Sequence, residues 1–137
     1  MTPEQMGELH LATRDKARVW SAQEYRTLIN DPAALHFSGN YGFALGRIFH
    51  DEAELLMIIV QPNQHGRGFG RAYLSGFELK CAKRGAKSCI LEVSANNSAA
   101  KSLYYSSGYE QIGIREFYYR LDNNRRLDAL ILKKILI

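Results

Sequence analysis

Residues 53–85 read AELLMIIVQPNQHGRGFGRAYLSGFELKCAKRG. The apolar, β-branched run from Ala53 to Val60 reads as a strand, and Gln61-Pro62-Asn63-Gln64 leads out of it into a turn. The turn is His65-Gly66-Arg67-Gly68-Phe69-Gly70, followed by Arg71. Leu74, Phe77 and Cys81 then recur on one helical face up to the stop at Arg84-Gly85. A strand, a glycine turn and a helix in this order place successive backbone N–H groups at a helix start. They form a nest of partial positive charge, and Gly66, Gly68 and Gly70 let a phosphate approach without Cβ clashes. By itself the turn reads either as such a cradle or as a mobile connection.

A dinucleotide fingerprint is excluded, because Arg71 stands where G-x-G-x-x-G needs its third glycine. A triphosphate loop is excluded as well, because no Lys-Ser or Lys-Thr pair follows.

Upstream, Thr2-Pro3-Glu4-Gln5 reads as a capping box with proline at the first helical position, opening a helix to about Thr13. Ser21-Ala22-Gln23-Glu24 repeats the logic for a second helix, stopped by Asn30-Asp31-Pro32. Leu35 to Val60, broken at Ser38-Gly39-Asn40 and His50-Asp51-Glu52, reads as an antiparallel meander of three strands. Downstream come a strand from Ser88 to Ser94, a helix capped by Asn97 and closed by Gly108, and two β-rich arms. The arms, Tyr109 to Tyr119 and Leu127 to Ile137, flank Asp122-Asn123-Asn124. The order αα-βββ-α-β-α-ββ mixes hairpins with crossovers. The expectation is an α/β (mixed α+β) fold: one domain over residues 1–137 with a central mixed, twisted sheet flanked by helices.

The chain has 137 residues, 46% of them hydrophobic and 23% charged, which suits one buried core. A net charge of +4, with basic residues dispersed, fits a phosphorylated ligand but argues against a nucleic-acid partner. No apolar run nears the roughly 20 residues of a membrane span, and no basic-then-apolar leader opens the chain, so a cytoplasmic protein is expected. Cys81 and Cys89 read as reduced core thiols. His10, His36 and His50 lack the spacing of a helical metal site, so no metal is expected.

The glycine turn resembles motif A of the GNAT superfamily of N-acetyltransferases, R/Q-x-x-G-x-G/A. Gly68 and Gly70 match, and His65 takes the Arg/Gln position. Residues 91–104, LEVSANNSAAKSLY, resemble the segment L-E-V-x-x-x-N-x-x-A-x-x-L-Y of the RimI family. Members of that family acetylate the N-terminal alanine of a small-subunit ribosomal protein. Val19-Trp20-Ser21, Ser107-Gly108-Tyr109, Arg115 to Tyr119 and Asp128-Ala129-Leu130 extend the likeness over Trp20 to Leu132. Val19 replaces the family's proline, and the family's first strand has no counterpart.

The resemblance implies acetyl-CoA as cosubstrate, its pyrophosphate on the amides of His65, Gly66, Arg67, Gly68, Phe69, Gly70 and Arg71. Ile58, Ile59 and Val60 would offer backbone groups to pantetheine, and Asn97 would both cap its helix and touch the coenzyme arm. Glu92 resembles the general base and Tyr104 the acid that protonates the leaving thiolate, with Glu54 a rival base. Strand alternation puts Glu92 with Ile90 and Ser94 on one face, where apolar neighbours are expected. Trp20, Tyr118 and Tyr119 are candidates to line the groove for a protein or peptide N-terminus, or else to pack in the core. An α-amine titrates about two to three units below lysine, which makes an N-terminal acceptor chemically easier. A lysine or small-molecule amine, or a non-catalytic acyl-CoA-binding module, are the competing readings.

Overall fold

The computed structural model describes residues 1–13, 20–120 and 126–136. The Asp122-Asn123-Asn124 turn, Val19 and the side chain of Tyr119 lie outside the described residues.

Both expected capping boxes form. In α1 (Pro3–Thr13) the Gln5 N–H donates to Thr2 Oγ1 at 3.1 Å, and the Thr2 N–H donates to Gln5 Oε1 at 2.8 Å. In α2 (Ala22–Ile29) Ser21 and Glu24 exchange the same bonds at 3.2 Å each. The meander follows as β1 (Ala34–Ser38), β2 (Gly42–Phe49) and β3 (Glu52–Val60). After it come α3 (Phe69–Lys83), β4 (Ser88–Ser94), α4 (Ser98–Ser106), β5 (Glu110–Arg120) and β6 (Arg126–Ile135). The sheet order is β1-β2-β3-β4-β6-β5, antiparallel except for the β3/β4 pair.

Helices cover both faces. Met6 and Tyr25 from α1 and α2 pack on Phe43, Leu45 and Ile59. Leu74, Phe77 and Cys81 from α3 and Tyr104 from α4 pack on Leu55, Leu91, Val93, Leu130 and Leu132. Burial on both sides explains why β3 is a continuous apolar run rather than an alternating one.

One irregularity positions the site. Pairing of β3 with β2 runs to Gly46↔Leu55 and resumes at Leu45↔Met57, so Leu56 is an extra residue. A bulge bends its strand and shifts the alternation. Ala53 and Leu55 precede it on the α3 face, and Ile58 and Val60 follow it on that same face. The parallel register with β4 ends at Glu54↔Ile90, just before the bulge. Beyond that pair β3 and β4 are no longer paired, so the sheet is open between Ile58–Val60 and Glu92–Ser94.

With no strand outside it in the sheet, β1 is an edge, and α3 covers its outward carbonyls. Lys80 Nζ donates to the His36 carbonyl at 2.7 Å and Arg84 to that of Pro32 at 3.2 Å. Cations on an edge discourage pairing with another chain. Burial, with Lys80 nearby, holds the His36 imidazole below its ordinary pKa.

Buried Glu78 clamps α3 to the far half of the sheet. It accepts from Tyr109 Oη at 2.8 Å and from Lys134 Nζ at 2.8 Å. Glu78→Ala strands both donors, and because Lys134 keeps partial access to water the expected cost is about 2 kcal/mol. Urea unfolding checks this through a lowered midpoint at unchanged slope.

Candidate active site

The turn after β3 is built for backbone contact. Gly66 and Gly68 adopt φ of 76° and 86°, and a Cβ at either would meet nothing within 4 Å. Gly68 is the N-cap of α3 without a side-chain cap, and the first helical bond runs from the Ala72 N–H to the Gly68 carbonyl at 3.1 Å. The N–H groups of Phe69, Gly70 and Arg71 therefore have no partner within the helix and face the open turn. Left-handed glycines, open space and orphan donors at the start of a long helix fit a pyrophosphate. Phe69 anchors the turn, its ring 4.8 Å from Tyr41 and 6.0 Å from Tyr73.

Each cation of the turn has a protein partner. Arg67 donates to Gln64 Oε1 at 2.8 Å. Arg71 donates to the Ser106 carbonyl at 3.3 Å and to its Oγ at 2.6 Å, tying the start of α3 to the negative end of α4.

His65 has a definite contact, which its departure from the motif did not foretell. Its Nε2 lies 2.7 Å from the Val60 carbonyl, folding the turn back onto the end of β3. The Gln61 N–H donates to the Tyr41 carbonyl at 2.6 Å, which fixes the phase of the β2/β3 ladder. Ile59 accordingly spends its backbone groups on Phe43, whereas those of Ile58 and Val60 turn to the open edge. Of the three residues expected to offer backbone groups, Ile58 presents its N–H and carbonyl there and Val60 its N–H, the Val60 carbonyl being engaged by His65.

Glu92 lies on the α1/α2 side of β4, part-exposed. Apolar surface was expected beside it; Ile131, its directly opposite partner on β6, shares its face, and a guanidinium joins it, Arg115 Nε lying 3.2 Å from Glu92 Oε1. The reason is topological. Glu92 pairs with Ile131 and Ile131 with Gly113, so Arg115, two residues on, shares the face of Glu92. Arg115 also lies over the Tyr118 ring, 5.1 Å from its centroid. Tyr104 is buried against Leu91 and Val93 on the opposite face, edge-on to Tyr109 at 5.9 Å. Glu92 and Tyr104 thus flank β4 from its two sides.

Asn97 caps α4, its Oδ1 accepting from the Ala100 N–H at 3.1 Å. Glu54 sits at the closed end of the opening, paired with Arg47 at 3.3 Å. Trp20 is half-buried, its ring 5.5 Å from that of Tyr25 and its backbone N–H donating to His10 Nδ1 at 3.0 Å. It borders two shallow clefts of about 390 and 470 Å³ on α1 and α2, neither lined by Glu92 or Tyr104.

Cys81 and Cys89 are fully buried, and burial pushes their thiols up to about 12 and about 11. The folded state retains protons that an unfolded chain releases near pH 9. This contribution to stability is complete below pH 9 and is lost as the pH rises toward 11–12. The melting temperature should therefore fall between pH 9 and 10, before tyrosines titrate, and fall less in a Cys81→Ala/Cys89→Ala variant. Among the described residues no cluster of His, Cys, Asp or Glu can hold a metal, and no helix is long and apolar enough to cross a membrane.

Residues 8–109 match the acetyltransferase (GNAT) family. The [ribosomal protein bS18]-alanine N-acetyltransferase of Escherichia coli K12 is 40% identical over 90 residues, 66% of this chain and 60% of that protein. The protein of that name from Haemophilus ducreyi is 31% identical over 77% of this chain and 78% of its own. The chain thus spans about 60% of the length of the first E. coli relative. The crystal structure of the ribosomal-protein-S18-alanine N-acetyltransferase from E. coli superposes with a TM-score of 0.82 at 32% identity, over 95% of this chain and 86% of that one. Ard1 from Thermoplasma volcanium shares the fold, at 0.82 and 19% identity over 100% and 95%. Bulge, opening and glycine turn all lie within the residues that match the family, and the chain belongs to the acetyltransferase (GNAT) family.

Proposed function

We propose that residues 1–137 act as one cytoplasmic acetyltransferase domain that moves the acetyl group of acetyl-CoA onto an N-terminal α-amine. The acceptor in this reading is the N-terminal alanine of a small-subunit ribosomal protein. The observation that carries it is the placement of the glycine turn and Glu92 at the two arms of one opening in the sheet. The substrate named for the E. coli and H. ducreyi relatives supports the choice of amine.

Acetyl-CoA supplies an activated thioester, and the orphan amides of Phe69, Gly70 and Arg71 would hold its pyrophosphate. Ile58, through its N–H and carbonyl, and Val60, through its N–H, would hold the pantetheine arm as a further strand. Asn97 stands where β4 turns into α4, beside that arm, and His65 keeps the turn closed against Val60. On the α1/α2 side, the Glu92 carboxylate takes the proton of the incoming ammonium, through water, so that a neutral amine attacks the carbonyl carbon. The C–N bond forms as the C–S bond breaks, Tyr104 gives its phenolic proton to the departing thiolate, and the second proton of the attacking nitrogen leaves to water, from which Tyr104 is reprotonated. Both substrates are held together, so no covalent acyl-enzyme intervenes and the buried thiols remain spectators.

Release of coenzyme A with a panel of peptides differing only in the first residue tests this reading. Turnover fastest on the alanine-initiated peptide supports it; turnover on no peptide, with lysine, polyamines or antibiotics preferred, overturns the acceptor. Coenzyme binding without turnover on any amine points to a binding module instead.

A further inference from the structure

The β5/β6 hairpin carries a second, larger bulge. Pairing runs to Arg115↔Ala129 and resumes at Tyr119↔Leu127, so Glu116, Phe117 and Tyr118 all face the single residue Asp128. Phe117 sits at its centre with φ 55°, a left-handed conformation that a bulky side chain adopts only under constraint. The constraint is visible: the Phe117 N–H donates to Asp128 Oδ1 at 3.0 Å. The Asp128 backbone carbonyl meanwhile accepts the Ala95 N–H at 2.9 Å, at the end of β4. One residue thus joins the bulge to the strand that carries Glu92.

Regular alternation would put Arg115 and Tyr118 on opposite faces of β5. Within the bulge the Tyr118 ring lies 5.1 Å from the Arg115 guanidinium, and that guanidinium lies 3.2 Å from Glu92. Phe117 is 63% exposed, so no core packing explains its strain.

We propose that Asp128 is a positioning residue of the acceptor site. Its carboxylate locks the strained bulge that sets Tyr118 against Arg115, and Arg115 in turn orients the Glu92 carboxylate toward the incoming peptide. The inference rests on the N-terminal acetyltransferase reading and adds the element that fixes the acceptor wall.

The test compares Asp128→Ala, Asp128→Asn, Phe117→Pro and the double variant Asp128→Ala/Phe117→Gly with the wild type, using acetyl-CoA and an alanine-initiated peptide. Asp128→Ala should lower kcat/KM for the peptide about 20-fold, through kcat as Glu92 loses its orientation and through the peptide's KM as Tyr118 leaves the acceptor wall, with acetyl-CoA affinity and melting temperature unchanged. Asp128→Asn keeps an acceptor oxygen and should retain most activity. In the double variant glycine holds the left-handed conformation unaided and should recover most of the loss. Phe117→Pro deletes the N–H and forbids positive φ at an exposed site, so it should reproduce the peptide defect even where Asp128→Ala does not fold. Wild-type peptide kinetics in both Asp128→Ala and Phe117→Pro, an equal loss of acetyl-CoA affinity, or no recovery with glycine overturns the proposal. Absence of wild-type turnover on the peptide overturns the acceptor reading instead, so the two failures are distinct.

Discussion

Glu92→Gln should lower kcat on an alanine-initiated peptide by about 10²- to 10³-fold while acetyl-CoA binds as before. Glutamine fills the same space and keeps a hydrogen-bond acceptor, but it cannot take a proton from the ammonium. Arg115 loses its ionic partner, yet it is half-exposed, with 52% of its side chain accessible, so loss of the pair costs little stability. The effect should therefore be confined to turnover. Glu54→Gln provides the contrast. Glu54 lies where β3 and β4 are still paired and is engaged by Arg47, so its removal should leave kcat near wild type. Steady-state kinetics on both variants beside coenzyme-binding calorimetry checks the pair of expectations. A larger loss in Glu54→Gln than in Glu92→Gln would reverse the assignment of the base.

Gly68→Val should raise KM for acetyl-CoA by about 30- to 100-fold, because a β-branched residue at φ 86° strains the turn by roughly 1–3 kcal/mol and swings the α3 amides off target. Apart from the two flanking residues nothing lies within 4 Å of the added Cβ, so the loss comes from backbone conformation rather than a clash. Gly70→Ala separates backbone from ligand. Its Cβ would meet Leu103 Cδ2 at 3.5 Å and Val60 Cγ2 at 3.9 Å, ordinary contacts, within helix α3. The fold should accept it, and any loss of coenzyme affinity then reports the coenzyme's own approach to that surface.

Most of the framework was legible because local signals agreed with one another. Thr2 and Gln5, Ser21 and Glu24, and Asn97 announced helix starts that the hydrogen bonds reproduce. Gly66, Gly68 and Gly70 marked the turn; the first two prove left-handed, and Gly70 already lies in α3. What stayed hidden depends on which strands become neighbours. The neighbour of Glu92 follows from β6 inserting between β4 and β5, a non-sequential order that leaves no trace in the residues around Glu92. The extra residue Leu56 sits inside a uniform apolar run, where a shift of register changes no polarity pattern. The His65 contact needed the position of the Val60 carbonyl, and the strain at Phe117 needed its dihedral angle; a bulky aromatic is the last residue from which sequence would suggest positive φ.

Which amine is acetylated can be decided with a single peptide. A peptide with alanine at its N-terminus and one internal lysine, incubated with acetyl-CoA and the enzyme, offers both acceptors at equal concentration. Tandem mass spectrometry of the product then locates the added acetyl group. The expected product is acetylated on the α-amine, with the lysine unmodified. Acetyl on the lysine alone, with the N-terminus free, would contradict it.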